Sequence, residues 1–234
     1  MQHNHISTQF DAQLEQVRSK VLHMGGVVED QLSLAVRALQ NGEIFLIEQV
    51  LDVEQQVNAL EMETDELCTN IIARRTPTAI DLRVLTMVVK TTTDLERIGD
   101  EAKKIALMAR EFFRSGRAYM PRYPEIQCMS AIAIDMLRQA LDGFARLDPE
   151  AAPQIARRDL DVDDAFRAVL RELLTYMIED PRTISATLDI IFIAKALERV
   201  GDHAKNISEY VVYKIKGKEE RHLSAEEIEQ AVKS

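Results

Sequence analysis

Leu85, Val88, Leu95, Ile98, Ala102, Ile105 and Ala109 recur at steps of three and four, or sums of them, which is the period of one face of an α-helix. Leu188, Ile191, Leu197, Val200, Ala204, Ile207 and Val211 mark a second such face near the other end of the chain. The same spacing of three and four, rather than the two of a strand, runs between the few breakers that punctuate the sequence: eight glycines and six prolines in 234 residues. "QNGE" at 40–43, "RRTPTA" at 74–79, "RSGRAYMPRYP" at 114–124, "RLDPEAAP" at 146–153 and "EDPRT" at 179–183 each interrupt it. Five interruptions predict six helices, near 7–39, 43–74, 79–114, 124–146, 151–179 and 183–216. The tail from Gly217 is charged and is expected to be loosely held, with a short terminal helix.

The six helices are three written twice. "EQQVN" at 54–58 matches "DLDVD" at 159–163 at an offset of 105, and Met24, Asp30 and Ala35 meet Met129, Asp135 and Ala140 at the same offset. The third helix of each half aligns at 102, so one loop is three residues shorter in the second half. The expected fold is all-α: two tandem three-helix bundles related by internal duplication, over residues 1–117 and 118–216, followed by a charged tail at 217–234.

Composition narrows the chemistry. Lys and Arg number 29 against 39 Asp and Glu, a formal net charge of −10. No concentrated basic run is present, which argues against nucleic acid and against electrostatic adhesion to an anionic membrane. The most apolar stretch, "ISATLDIIFIAKAL", is too short to span a bilayer and contains Asp189. The start, "MQHNHISTQFDAQLEQ", lacks the basic segment and apolar run of a signal peptide, and its His3 and His5 read as adventitious metal binders. Cys68 and Cys128 lie in apolar helical patterns and read as small core residues of a protein in a reducing compartment. A cytoplasmic protein is expected.

The feature that asks for a function is "DLERIGDEAKKI" at 94–105, repeated as "ALERVGDHAKNI" at 196–207. Glu96 and Asp100 share one helical stripe, Gly99 sits between that stripe and the core, and Glu198, Gly201 and Asp202 reproduce the arrangement. Acid pairs at i and i+4 are common on solvated faces, and the further examples Asp11/Glu15 and Glu61/Asp65 ask for no explanation as pairs. A mid-helix glycine costs about 1 kcal/mol and a like-charge pair about 0.2–0.5 kcal/mol, so two copies sum to roughly 3 kcal/mol against a typical domain stability of about 5–15 kcal/mol. A hard cation bridging the carboxylates would offset that cost. On the second helix of the first half Glu54, Asn58, Glu61 and Asp65 form a stripe, whose equivalents are Asp159, Asp163, Phe166 and Leu170. Polarity persists in both halves only at Glu54/Asn58 and Asp159/Asp163, which are therefore the better additional ligands. His203, about 100° around the helix from Asp202, reads as a surface or interface histidine.

The paired "ERIGD" and "ERVGD" segments, with "MGGVVEDQL", "RRTPTAIDLR" and "LLTYMIEDPRTI", resemble the PhoU family along nearly the whole chain. The resemblance implies two three-helix bundles with pseudo-twofold symmetry, often dimeric, with iron or other metals such as zinc, manganese or magnesium on the motif carboxylates Glu96, Asp100, Glu198 and Asp202. It also implies a negative regulator of phosphate uptake and of the phosphate-starvation response: a cytoplasmic adaptor, peripheral to the inner membrane, between the ATPase subunit of the high-affinity phosphate transporter and a sensor histidine kinase. Two other classes stand beside it, a metal-independent helical adaptor and a carboxylate-bridged metal enzyme. Against the enzyme, the sequence holds no GxSxG, P-loop or HExxH motif, and its one Glu-x-x-His spacing, Glu219/His222, lies in the tail.

Overall fold

Proline, glycine and left-handed backbone set the helix boundaries in the computed structural model, which describes residues 8–114, 124–216 and 224–233. The described helices are α1 (Thr8–Asn41), α2 (Phe45–Arg75), α3 (Ala79–Arg114), α4 (Pro124–Arg146), α5 (Ala152–Glu179), α6 (Ile184–Lys216) and α7 (Ala225–Lys233). Helix α2 stops where Thr76 turns left-handed, at φ 45°, and Pro77 follows; Arg74 and Arg75 in its last turn suit the negative end of the helix dipole. Between α5 and α6 a single 3₁₀ turn, Pro181–Thr183, is held by Asp180, whose carboxylate accepts the Arg182 backbone N–H at 3.0 Å. The six predicted helices are all present. The expected boundary at 117/118 and the residues His3, His5, Glu219 and His222 lie outside the described residues.

Helices α1–α3 and α4–α6 each pack as a trio, and the most extensive helix contact in the molecule joins the trios through α3 and α6. The two run antiparallel, since Asp94 meets His203 while Glu101 meets Arg199. A single apolar core, including Met24, Leu32, Leu95, Ile98, Ile105, Leu137, Phe144, Leu197, Val200 and Ile207, therefore runs through both halves. Leu188, counted above on the apolar face of α6, is 41% exposed and lies outside that core.

Of the charged tail, residues 224–233 are described, and they pack on the second half. Ser224 and Glu227 form a reciprocal capping box, the Glu227 N–H donating to Ser224 Oγ at 3.2 Å and the Ser224 N–H to Glu227 Oε2 at 2.8 Å. Ile228 of α7 is then buried against Ala152, Ala156 and Val212, and Arg157 of α5 pairs with Glu229. Of the two cysteines, Cys68 is buried and loss of hydration pushes its thiol up to about 12, whereas Cys128 is exposed, contrary to the core position its pattern predicts.

Candidate functional site

In the first half, the acids of α2 face those of α3. Glu54 is buried and held from two sides: Gln31 Nε2 of α1 donates to it at 2.9 Å, and Lys103 Nζ of α3 lies 3.3 Å away. The same ammonium is 3.7 Å from Asp100. Gly99 permits this approach. A methyl group there would stand 2.9 Å from Gln31 Oε1, closer than side chains tolerate, and 3.3 Å from Glu54 Oε2, a tight contact. Further along the groove, Glu61, Asp65, Glu96 and Asp100 line α2 and α3, each partly buried. Loss of hydration raises the Glu61 carboxyl first, and the charges of Glu96, Asp65 and Asp100 raise it further. Glu96 is raised in the same way, by desolvation and then by Asp100 and Glu54. Asp65 is raised by desolvation, and its Oδ1 is buried without a partner.

The structure thus brings Glu54, Glu96 and Asp100 together, leaves Asn58 exposed, and adds Glu61 and Asp65, which the sequence ranked below Glu54 and Asn58 because the second half does not repeat them. The signal was available: Glu54, Glu61 and Asp65 share one stripe of α2, and the second half simply fails to repeat its lower part.

The second half is built differently. Asp159 is buried and paired with Lys205 Nζ at 3.1 Å, yet its carboxyl is raised because desolvation outweighs the lysine. Glu198 Oε1 receives the Lys195 ammonium at 2.6 Å, while Glu198 Oε2 is buried without a partner. Asp202, at the exposed rim, is pushed up to about 6, first by local desolvation and then by Glu198, Asp159 and Asp163. Gly201 is not crowded, because a methyl group there would meet Asp159 Oδ1 at 3.5 Å and Met136 Cε at 3.6 Å, ordinary contact distances.

Carboxylate oxygens that repel one another, three of them partly dehydrated in the first half, are the donor chemistry of a hard divalent cation. Among the described residues no three His, Cys, Asp or Glu side chains converge into a ready coordination shell. A cation here would be held through one or two carboxylates and retained water, as Mg²⁺ commonly is.

Comparison with known proteins accounts for the repeat. The family model described as the PhoU domain matches twice, over residues 21–109 and 126–211, once in each half. The chain is 47% identical to the Pseudomonas putida phosphate-specific transport system accessory protein PhoU homolog, over 94% of this chain and 86% of that one. It is 42% identical to Escherichia coli K12 phosphate-specific transport system accessory protein PhoU, over 96% and 92% of the two chains. The crystal structure of PhoU from Pseudomonas aeruginosa superposes with a TM-score of 0.86 at 45% identity, covering 89% of this chain and all of that one. The chain belongs to the PhoU family. A PhoU from Streptococcus pneumoniae, at 24% identity, shares the fold with a TM-score of 0.82, covering 89% of this chain and 98% of that one.

Within this PhoU fold, the seam between the two domains carries buried polar groups. Of the two readings of His203, surface or interface, the structure has the interface: its Nδ1 lies 2.7 Å from Asp94 Oδ1, and both residues are buried. Asn206 Nδ2 approaches the same Asp94 oxygen at 3.4 Å. The position equivalent to His203 is Glu101, also buried, which accepts Arg199 at 3.0 Å and Lys104 at 2.8 Å. The rotation of about 100° that takes His203 away from the Asp202 rim is what delivers it to α3.

Beside this seam Glu209 gives the PhoU fold a pH dependence. Its carboxyl is pushed up to about 7, first by desolvation and then by Asp159 and Asp94 working against Lys205, and its Oε1 is buried without a partner. A carboxyl whose folded value is raised above 4.5 binds its proton more tightly in the folded state, so its stabilising contribution is complete below that pH and disappears as pH rises through 7. Between about pH 5 and 8, the urea stability of wild type should fall relative to Glu209→Gln by about 1–2 kcal/mol, after allowance for partial solvent access. A pH-independent difference between the two proteins would refute the assignment.

Proposed function

We propose that this chain is a regulatory accessory protein of a phosphate-specific transport system: a negative regulator of phosphate uptake and of the phosphate-starvation response, docked as a cytoplasmic adaptor between the transporter's ATPase subunit and a sensor histidine kinase. The observation that carries this reading is the near full-length relation to accessory proteins of phosphate-specific transport, which spans both PhoU domains. Two physical features agree with it. No described helix is long and apolar enough to cross a membrane, and in this reading contact with membrane machinery runs through proteins. The net charge of −10 disfavours direct adhesion to anionic lipid.

In this reading a hard or borderline divalent cation binds among the motif carboxylates. Glu96 and Asp100 form the core of that site in the first half, with Glu54 and Glu61 facing them; Glu198 and Asp202 are the motif pair at the equivalent positions of the second half, where Lys195 already pairs with Glu198. A bound cation would neutralise the repulsion recorded in the raised Glu61 and Glu96 carboxyls and, by binding only the folded state, stabilise α2 and α3 by mass action.

Deleting the gene in its host is expected to leave alkaline phosphatase expression high in abundant phosphate, with repression restored by the reintroduced chain. From membrane extracts the protein should co-purify with the transporter ATPase or the kinase, and it should not sediment with protein-free anionic liposomes. A deletion strain that still responds fully to phosphate would sink the proposed role.

A further inference from the structure

The two halves place different residues at equivalent positions of their stripes. Where the first half has Glu61, Asp65, Gln31 and Thr93, the second has Phe166, Leu170, Met136 and Lys195. We propose that Lys195 is the resident counter-ion of the second carboxylate stripe, so that a divalent cation finds its site on the first stripe, beside Gln31 and Glu54, and not on the second. The proposal rests on the cation reading above and refines it.

Three observations carry it. First, the Lys195 ammonium sits 2.6 Å from Glu198 Oε1 and 5.5 Å from the centroid of the Phe166 ring. The aromatic ring and the carboxylate together hold the lysine where a metal would have to bind, so a cation reaching Glu198 must break a charge-assisted hydrogen bond and a cation–π contact. Second, the first half supplies nothing equivalent at this position: Thr93 turns its hydroxyl back to Val89 O of its own helix at 3.2 Å, and among the described residues Glu61, Asp65 and Glu96 form no close ion pair with a lysine or arginine, the charges of Arg97 and Lys103 reaching Glu96 only from beyond pairing distance. Five carboxylates there (Glu54, Glu61, Asp65, Glu96 and Asp100) face one paired lysine, Lys103, whereas four in the second half (Asp159, Asp163, Glu198 and Asp202) face Lys195 and Lys205. Third, Gln31 is completely buried, and its Oε1 has no hydrogen-bond partner although it stands beside Gly99 and Glu54. The amide orientation is fixed chemically, because Nε2 faces two acceptors, Glu54 Oε2 and Val50 O. An unsatisfied carbonyl oxygen suits a hard cation, and the thioether of Met136 that replaces it does not. The unpartnered oxygen of the second stripe, Glu198 Oε2, belongs instead to a carboxylate whose charge the Lys195 ammonium already balances at Oε1.

The test uses the full chain freed of metal with chelator and titrated with Mn²⁺, free ion being read by electron paramagnetic resonance. Wild type and Glu198→Gln/Asp202→Asn should bind Mn²⁺ with the same stoichiometry, Glu96→Gln/Asp100→Asn should lose it, and Lys195→Met should gain one further Mn²⁺ per chain. Halved binding in the Glu198→Gln/Asp202→Asn protein, or no gain in Lys195→Met, overturns the proposal. Absence of Mn²⁺ binding by wild type would instead remove the cation reading, and thermal melts in chelator then decide the counter-ion role alone. Lys195→Met should melt about 2 °C below wild type and Lys195→Met/Glu198→Gln should recover that loss; a Lys195→Met protein that melts with wild type overturns the counter-ion assignment whatever the metal result.

Discussion

Replacing His203 with alanine should destabilise the protein by about 3 kcal/mol, which for a chain of this size lowers the melting temperature by roughly 6–12 °C. The effect is large because of what remains. Asp94 is 4% exposed and keeps only the long 3.4 Å contact with Asn206 once the 2.7 Å bond from the imidazole is gone. A carboxylate left inside without its partner forfeits most of its compensation for lost hydration, whereas the pair itself is worth little more than apolar residues of similar volume. The double variant Asp94→Leu/His203→Leu should therefore lie within about 1–2 kcal/mol of wild type although it removes more polar atoms. Thermal or urea unfolding of wild type, Asp94→Leu, His203→Leu and the double variant closes the cycle, with His203→Ala measured beside it. Independent, additive losses would mean that the two side chains do not interact, and a neutral His203→Ala would mean that the seam between α3 and α6 does not need them.

His203 also marks the limit of what could be read in advance. The six helices were legible because glycine and proline end them by backbone chemistry, which needs no knowledge of neighbours. Duplication was legible because the repeated third helix keeps its acids and its glycine in register. Periodicity, however, gives the angle of a side chain around its own helix and says nothing of which helix will stand there. At about 100° from Asp202, His203 was free to face water or protein, and the antiparallel packing of α6 on α3 decided for protein. Cys128 failed in the opposite sense, since its apolar neighbours pack against the core while its own face of α4 is left open. Glu61 and Asp65 were discounted because Phe166 and Leu170 do not repeat them, yet the asymmetry of the site resides in that difference. The two glycines looked identical for the same reason, both being mid-helix and both three residues beyond a glutamate.

Their substitution by alanine should give opposite results. Gly201→Ala places a methyl group at ordinary contact distance from Asp159 and Met136, so the gain in helix propensity is unopposed and stability should rise by about 1 kcal/mol. At Gly99 the same gain meets a crowded wall: the new methyl lies 2.9 Å from Gln31 Oε1 and 3.3 Å from both Glu54 Oε2 and Val57 Cγ1. The amide end of Gln31 is the softest of these, but it is completely buried and donates to Glu54 and to Val50 O, so its retreat strips the buried Glu54 carboxylate of a hydrogen bond. A hydrogen bond to a charged group contributes about 1.5–3 kcal/mol, which outweighs the propensity gain and leaves Gly99→Ala about 1–2 kcal/mol less stable than wild type. Gln31→Ala in the Gly99→Ala background should then restore part of the loss, because the crowding is relieved while Lys103 still pairs with Glu54. Urea midpoints of the single and double variants measure both signs. Gly99→Ala rising in parallel with Gly201→Ala would show that no close approach is made at Gly99, and that its glycine has no part in positioning Glu54.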